Sequence, residues 1–110
     1  MNQDVVINKM ALTELANKLF MYCDARQWQH LLDEVFIQTI WFDMSSAGGN
    51  TPQWVEASEV CKMWADGFAG LDAIHHQAGH YLINVSGGKA DIFAYAVATH
   101  YKKAAKKGTT

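Results

Sequence analysis

Apolar side chains recur at helical spacing over the first two dozen residues. Leu12, Leu15, Leu19 and Tyr22 follow an i, i+3, i+7, i+10 rhythm, and Ala16, Phe20 and Cys23 widen the stripe. Asn8 stands before it as a helix cap, which predicts a first helix running to about Cys23. Asp24 with Gln27 three residues on has the form of a capping box, so a second, shorter helix is expected, with Trp28, Leu31, Leu32 and Val35 on its apolar face. From Val35 to Asp43 the rhythm changes. Phe36, Ile37, Thr39, Ile40, Trp41 and Phe42 are β-branched or aromatic, the composition of a strand buried on both faces. Ser45 to Pro52 is a loop holding the only proline. A third helix is expected from Ser58, with Val60, Met63, Trp64 and Phe68 on one side and Gly67 and Gly70 at its end.

The rest reads as a hairpin: Ala73 to Val85, a turn at Ser86-Gly87-Gly88-Lys89, and Ala90 to about Lys102. In the second arm small residues (Ala94, Ala96, Ala98) alternate with bulky ones (Phe93, Tyr95, Val97), so its two faces differ in size. Strands of about a dozen residues exceed the usual five or six and must curve to stay within a small domain. Register matters for the histidines. A two-residue Gly87-Gly88 loop sets His75 opposite His100 and His76 opposite Thr99; a three-residue loop with a bulge sets His76 opposite His100. The second arrangement, which makes a two-histidine face, is the one expected. The order of elements is α+β, a layer of three helices on a curved antiparallel sheet in one domain.

With 50% hydrophobic and 18% charged residues, the chain is no disordered tail. No apolar run approaches the roughly 20 residues needed to cross a bilayer, and Met1 to Lys9 lacks the pattern of a secretion signal. The net charge of −2 argues against nucleic acid as a partner. Lys102, Lys103, Lys106 and Lys107 crowd the C-terminal end, as a solvated strand end does. Cys23 and Cys61 form no CxxC pattern and are expected reduced and buried, in a cytoplasmic protein.

The candidate chemistry lies in Tyr22 to Trp28 and Ile74 to His80. Asp24 either caps a helix or turns inward to orient a histidine. His76 either serves a polar strand or acts as a base, and His75 points to the opposite sheet face, outside the pocket. A metal site is not expected: His76 and His80 on one strand lie about 13 Å apart, too far to share an ion. No P-loop or GxGxxG pattern appears, so no cofactor is expected. Trp28, Trp41, Trp64, Phe68 and Tyr95 either pack the core or line an apolar cavity. Asp43 is a second pocket carboxylate or the solvated end of its strand.

Tyr22, Asp24, Arg26 and Trp28, then Asp43, the glycine- and histidine-containing strand with Gly79 and His80, the glycine turn and Ala98-Thr99-His100 occur in an order that resembles the SnoaL-like family. That family belongs to the nuclear-transport-factor-two-like cone fold, with the scytalone dehydratase and ketosteroid isomerase-like superfamily. The resemblance implies a cone-shaped curved antiparallel sheet packed on three helices, a cystatin-like α+β roll. The family's last two strands have no counterpart before the sequence stops, so a shortened sheet with a long unpaired edge is expected, covered by a second copy in a homodimer. The resemblance also implies that His76 abstracts a proton with Asp24 holding it, and that His100 is a second pocket histidine. Tyr22 or His100 would donate a proton to an oxygen or leaving group, and His80 stands where relatives carry Asn. The activities implied are dehydration, dehydrohalogenation, double-bond isomerisation or polyketide cyclisation on a small apolar cyclic molecule. A non-catalytic ligand-binding or dimerisation module of the same fold is the alternative.

Overall fold

Nothing between Gln3 and Asn8 breaks a helix, and Asp4 in the opening turn suits the positive end of the helix dipole. In the computed structural model, which describes residues 3–49 and 51–103, helix α1 accordingly spans Gln3–Asp24. Asn8 lies inside it and does not cap it. The expected stripe is the covered side: Leu12, Leu15, Ala16, Leu19 and Phe20 are half-buried and Cys23 is buried.

Asp24 is the last residue of α1, which overturns its assignment as the cap of the next helix. The chain leaves α1 through a Schellman closure, in which Gln27 N–H donates to the Tyr22 carbonyl (2.8 Å) and Arg26 N–H to the Cys23 carbonyl (3.1 Å). Arg26 takes the left-handed position at φ 57°, where glycine is usual, at a cost of about 1–2 kcal/mol. Helix α2 spans Trp28–Glu34, and Gln27 before it makes no side-chain capping bond.

Strands β1 (Thr39–Phe42) and β2 (Gln53–Glu56) pair antiparallel, with Trp41 opposite Trp54. The expectation of burial on both faces fails. Phe42 is buried and Ile40 half-buried, but Thr39 and Trp41 are exposed, because the two strands form a ribbon covered on one side only. Strand β2 was not anticipated; four residues between a proline and a helix are too few to establish a period. Helix α3 spans Ala57–Phe68, one residue earlier than expected and with Gly67 inside it. Ala57, Val60 and Cys61 are buried and Trp64 and Phe68 half-buried, whereas Met63 falls on the exposed side.

Strands β3 (Ala73–Ser86) and β4 (Lys89–Tyr101) form the long hairpin, closed by Gly87-Gly88 with Gly87 at φ 59°. The loop is the two-residue form, yet the pairing at the base matches neither expected register. Between Gly79 and Leu82 the register slips by one residue, so that His80 and Tyr81 together face Ala94. His80 takes φ 56° at this bulge. Beyond it Ile74 lies opposite His100, His75 opposite Thr99 and His76 opposite Ala98. His76 and His100 therefore share a face, as diagonal neighbours and not as direct partners.

Fourteen residues at about 3.3 Å each account for the long axis of the 52 × 27 × 26 Å described body. The described strands make two separate antiparallel ribbons, and α1 lies along β3. Helices and antiparallel sheet together give the expected α+β cone. Lys106 and Lys107 of the basic end lie outside the described residues. The core is small and sits where the end of α1, α2, α3 and the hairpin base converge: Cys23, Leu31, Phe42, Ala57, Val60, Cys61 and Ile74. Leu31, with 0% of its surface exposed, is its centre. Leu31→Ala is expected to lower stability by about 2–5 kcal/mol in denaturant unfolding. Ile37→Ala, at a position 72% exposed, should change it by less than about 0.5 kcal/mol.

Candidate active site

The end of α1 lies against the free edge of β3. Strand β3 pairs only with β4 among the described residues, and backbone groups of an antiparallel strand alternate between partner and open side. On that open side the His76 backbone N–H donates to both carboxylate oxygens of Asp24, at 2.9 Å to Oδ2 and 3.1 Å to Oδ1. The imidazole of the same residue comes back to the same group, with Nδ1 2.6 Å from Oδ1. One carboxylate thus holds both the main chain and the ring of His76. The two side chains are 19% and 16% exposed, and the Phe20 ring packs on the imidazole at 5.6 Å.

An ionised carboxylate only accepts, so a neutral ring facing it through Nδ1 donates from that nitrogen and leaves Nε2 outside the contact. Nε2 has no hydrogen-bond partner among the described residues. His75 points outward as expected and is 68% exposed, but its Nδ1 still comes within 3.8 Å of Asp24 Oδ2. It is therefore nearer the carboxylate than its strand parity suggests.

Next along α1 is an open apolar hollow of about 440 Å³ between α1 and the inner face of β4; neither Asp24 nor His76 lines it, and Phe20 alone links it to the pair. Leu15, Ala16, Leu19, Phe20, Val35, Phe36, Ile92 and Ala94 line it, within the size range of small-molecule sites. Phe20 belongs to both the hollow and the wall of His76. These lining residues were read from the sequence only as helix or strand face. The signal for them was the apolar stripe of α1 meeting the small-residue side of β4.

The other expected site residues are dispersed. Tyr22 points its hydroxyl at Glu34, 3.0 Å from both carboxylate oxygens, and packs on His30 at 5.1 Å. His100 shares the inner face with His76 and packs on Phe68 at 5.4 Å, and Phe68 stacks with Trp28 at 6.4 Å. Trp64 fills the space between Phe36 and Phe42, at 6.1 Å from each. Trp41 meets Trp54 edge to face on the outside of the ribbon. Asp43 caps its own turn, accepting from Ser45 N–H at 2.9 Å and Ser45 Oγ–H at 2.6 Å, which lowers its pKa. His80 and Tyr95 meet at 5.7 Å in a separate groove of about 530 Å³ around the bulge. None of these lines the hollow that Phe20 shares with His76; the sequence assigns the residue types but not the sides on which they fall.

Burial, then the nearby Asp24 charge, pushes the Cys23 thiol up to about 11, so it is a protonated packing group at neutral pH. Cys61 is raised by burial too. Among the described residues no group of three or more His, Cys, Asp or Glu side chains is placed to hold a metal ion. No described helix is long and apolar enough to cross a membrane.

The family model for the SnoaL-like domain matches residues 6–110. The chain therefore belongs to the SnoaL-like family, whose members generally bind small molecules. Among solved structures it is similar to the crystal structure of the Kfla4162 protein from Kribbella flavida, with a TM-score of 0.85 and 21% identity. The match covers 91% of this chain and 68% of that one, and at this identity it speaks for the fold alone. No curated protein matches the chain.

Glu34 ties α2 to the end of α1, taking Lys18 Nζ at 3.0 Å, the Tyr22 hydroxyl, and His30 Nδ1 at 3.4 Å. The Lys18 hydrogen bond, followed by that from Tyr22, holds the Glu34 carboxyl below its ordinary value of 4.5. A lowered carboxyl pKa adds stability that is present above 4.5 and fades as pH falls through the folded-state value. Glu34→Gln should therefore melt below the parent at pH 7, with the gap narrowing as thermal scans move below pH 4.

Proposed function

We propose that this chain is a single-domain, cytoplasmic, cofactor-independent lyase or isomerase acting on a small apolar cyclic molecule. The observation that carries this reading is the 2.6 Å contact between His76 Nδ1 and Asp24 Oδ1, with Phe20 packed on the imidazole and lining an apolar hollow. His76 Nε2 takes a proton from an activated C–H of a substrate in the hollow. Asp24 stabilises the imidazolium that forms. In an isomerisation the same proton returns at another carbon. In an elimination the electron pair of the broken C–H bond forms the double bond and expels hydroxide or halide. His100, on the same face, is the group assigned to donate to the departing oxygen; Tyr22 is a weaker choice because its hydroxyl is engaged by Glu34.

One observation favours the alternative of a non-catalytic binding module: Ala94, Ala96 and Ala98 on the inner face of β4 are exposed, so water reaches the hollow. A panel of cyclic ketones, alcohols and halides in deuterated buffer separates the two readings. The enzyme reading expects deuterium incorporation or elimination that falls about 10²–10⁴-fold in both Asp24→Asn and His76→Ala. Binding of the same compounds with no exchange supports the module; turnover unchanged in both variants contradicts the roles assigned to Asp24 and His76.

The partner we assign to the outer hairpin face is a second copy of this chain. Leu82, Phe93, Tyr95, Val97 and Tyr101 are each more than half exposed there. No charged residue lies on that side of β4 between Phe93 and Tyr101, so two copies meet without like charges facing. Sedimentation should return twice 12.3 kDa, reverting to one chain in Val97→Lys. A parent that sediments as a monomer contradicts the assignment.

A further inference from the structure

Arg26 occupies a backbone position that glycine would fill more easily. It is left-handed at φ 57°, in the closure that ends α1 two residues after Asp24. Its side chain does not point to solvent. The guanidinium Nη2 donates to the carbonyl of Leu71, in the connection between α3 and β3. That connection is itself anchored to the hairpin, since Asp72 N–H donates to the Tyr101 carbonyl at 2.8 Å. Five residues beyond Leu71 comes His76. A single residue therefore joins the helix end that carries the carboxylate to the base of the strand that carries the imidazole.

From this geometry we infer that Arg26 is a positioning residue, whose guanidinium fixes the approach of Asp24 to the β3 edge. The inference rests on the Asp24–His76 reading of the site but concerns a residue that touches neither partner. The left-handed backbone is tolerated because the side chain makes a contact glycine cannot. Glycine at this position relieves the backbone and removes the tie; lysine keeps the backbone problem and restores one donor of similar reach. The two substitutions thus pull stability and site geometry in opposite directions.

The His76 amide reports the position of Asp24 directly, because its N–H is bonded to that carboxylate and not to β4. The next amide, Gln77, belongs to the alternate set that faces β4. Hydrogen exchange by NMR on the full chain then gives a ratio, His76 to Gln77, which global destabilisation leaves unmoved. In Arg26→Gly this ratio is expected to rise at least tenfold with the melting temperature kept or raised; Arg26→Lys should bring it back toward the parent. Where Arg26→Gly is poorly folded, Arg26→Gln serves the same comparison. A ratio unchanged in Arg26→Gly and Arg26→Gln overturns the positioning role, as does a failure of lysine to restore it. Asp24→Ala is the control. If it moves the ratio while the Arg26 variants do not, only the present inference fails; if it does not, the Asp24–His76 site itself is wrong.

Discussion

A two-stranded hairpin leaves, among the described residues, the outer edge of each strand without a strand partner, and on β3 the fold meets that demand at His76 with a side chain. The Asp24 carboxylate takes the His76 main-chain N–H and its ring nitrogen together. A charge-assisted bond to backbone and another to side chain give the helix end and the strand a fixed relation that apolar packing alone would not. The half-buried setting matters as much as the distance. With both groups less than one-fifth exposed, water competes weakly for the carboxylate, and the imidazole keeps one nitrogen committed and one open. Satisfaction of a strand edge and orientation of an imidazole are the same interaction here.

The surrounding elements can be read as supports for that contact. The small core adjoins it along the chain, with buried Cys23 next to Asp24 and buried Ile74 two residues before His76. The Glu34 cluster ties the end of α1 to α2. The Arg26 contact with Leu71 spans from the same helix end to the start of β3. The bulge at His80-Tyr81 shifts the pairing by one residue and brings His100 onto the face of His76. Away from this centre the molecule is open: the alanine side of β4 and its aromatic side both lie exposed.

Much of the fold was legible in the chain because its periods are strong. The α1 stripe, the apolar side of α3 and the alternation along β4 each repeat often enough to fix an element and a face. Strand β2 was not legible, since the four residues Gln53–Glu56 span only two periods and Trp54 and Val55 stand side by side within them. Register was not legible: the glycines fit a two- or a three-residue loop, the three-residue form was expected and the two-residue form is found, and nothing in Gly79-His80-Tyr81 announces the extra residue that resets the histidines. At the site, the types of Asp24 and His76 were readable and their meeting was an expectation from resemblance. The capping-box pattern of Asp24 and Gln27 misled, because the same short carboxylate that can cap a helix can also cap a strand edge. The aromatic residues were assigned by size, and size does not distinguish Trp64 in the core from Trp41 on the outside.

The tautomer of His76 tests the account most directly. Long-range proton–nitrogen correlation on the full chain, recorded above the titration range of histidine, distinguishes a protonated Nδ1 from a protonated Nε2. The account predicts the Nδ1–H form for His76, converting toward the usual Nε2–H form in Asp24→Asn. An Nε2–H ring in the parent chain, or a His76 signature indifferent to Asp24, would contradict it.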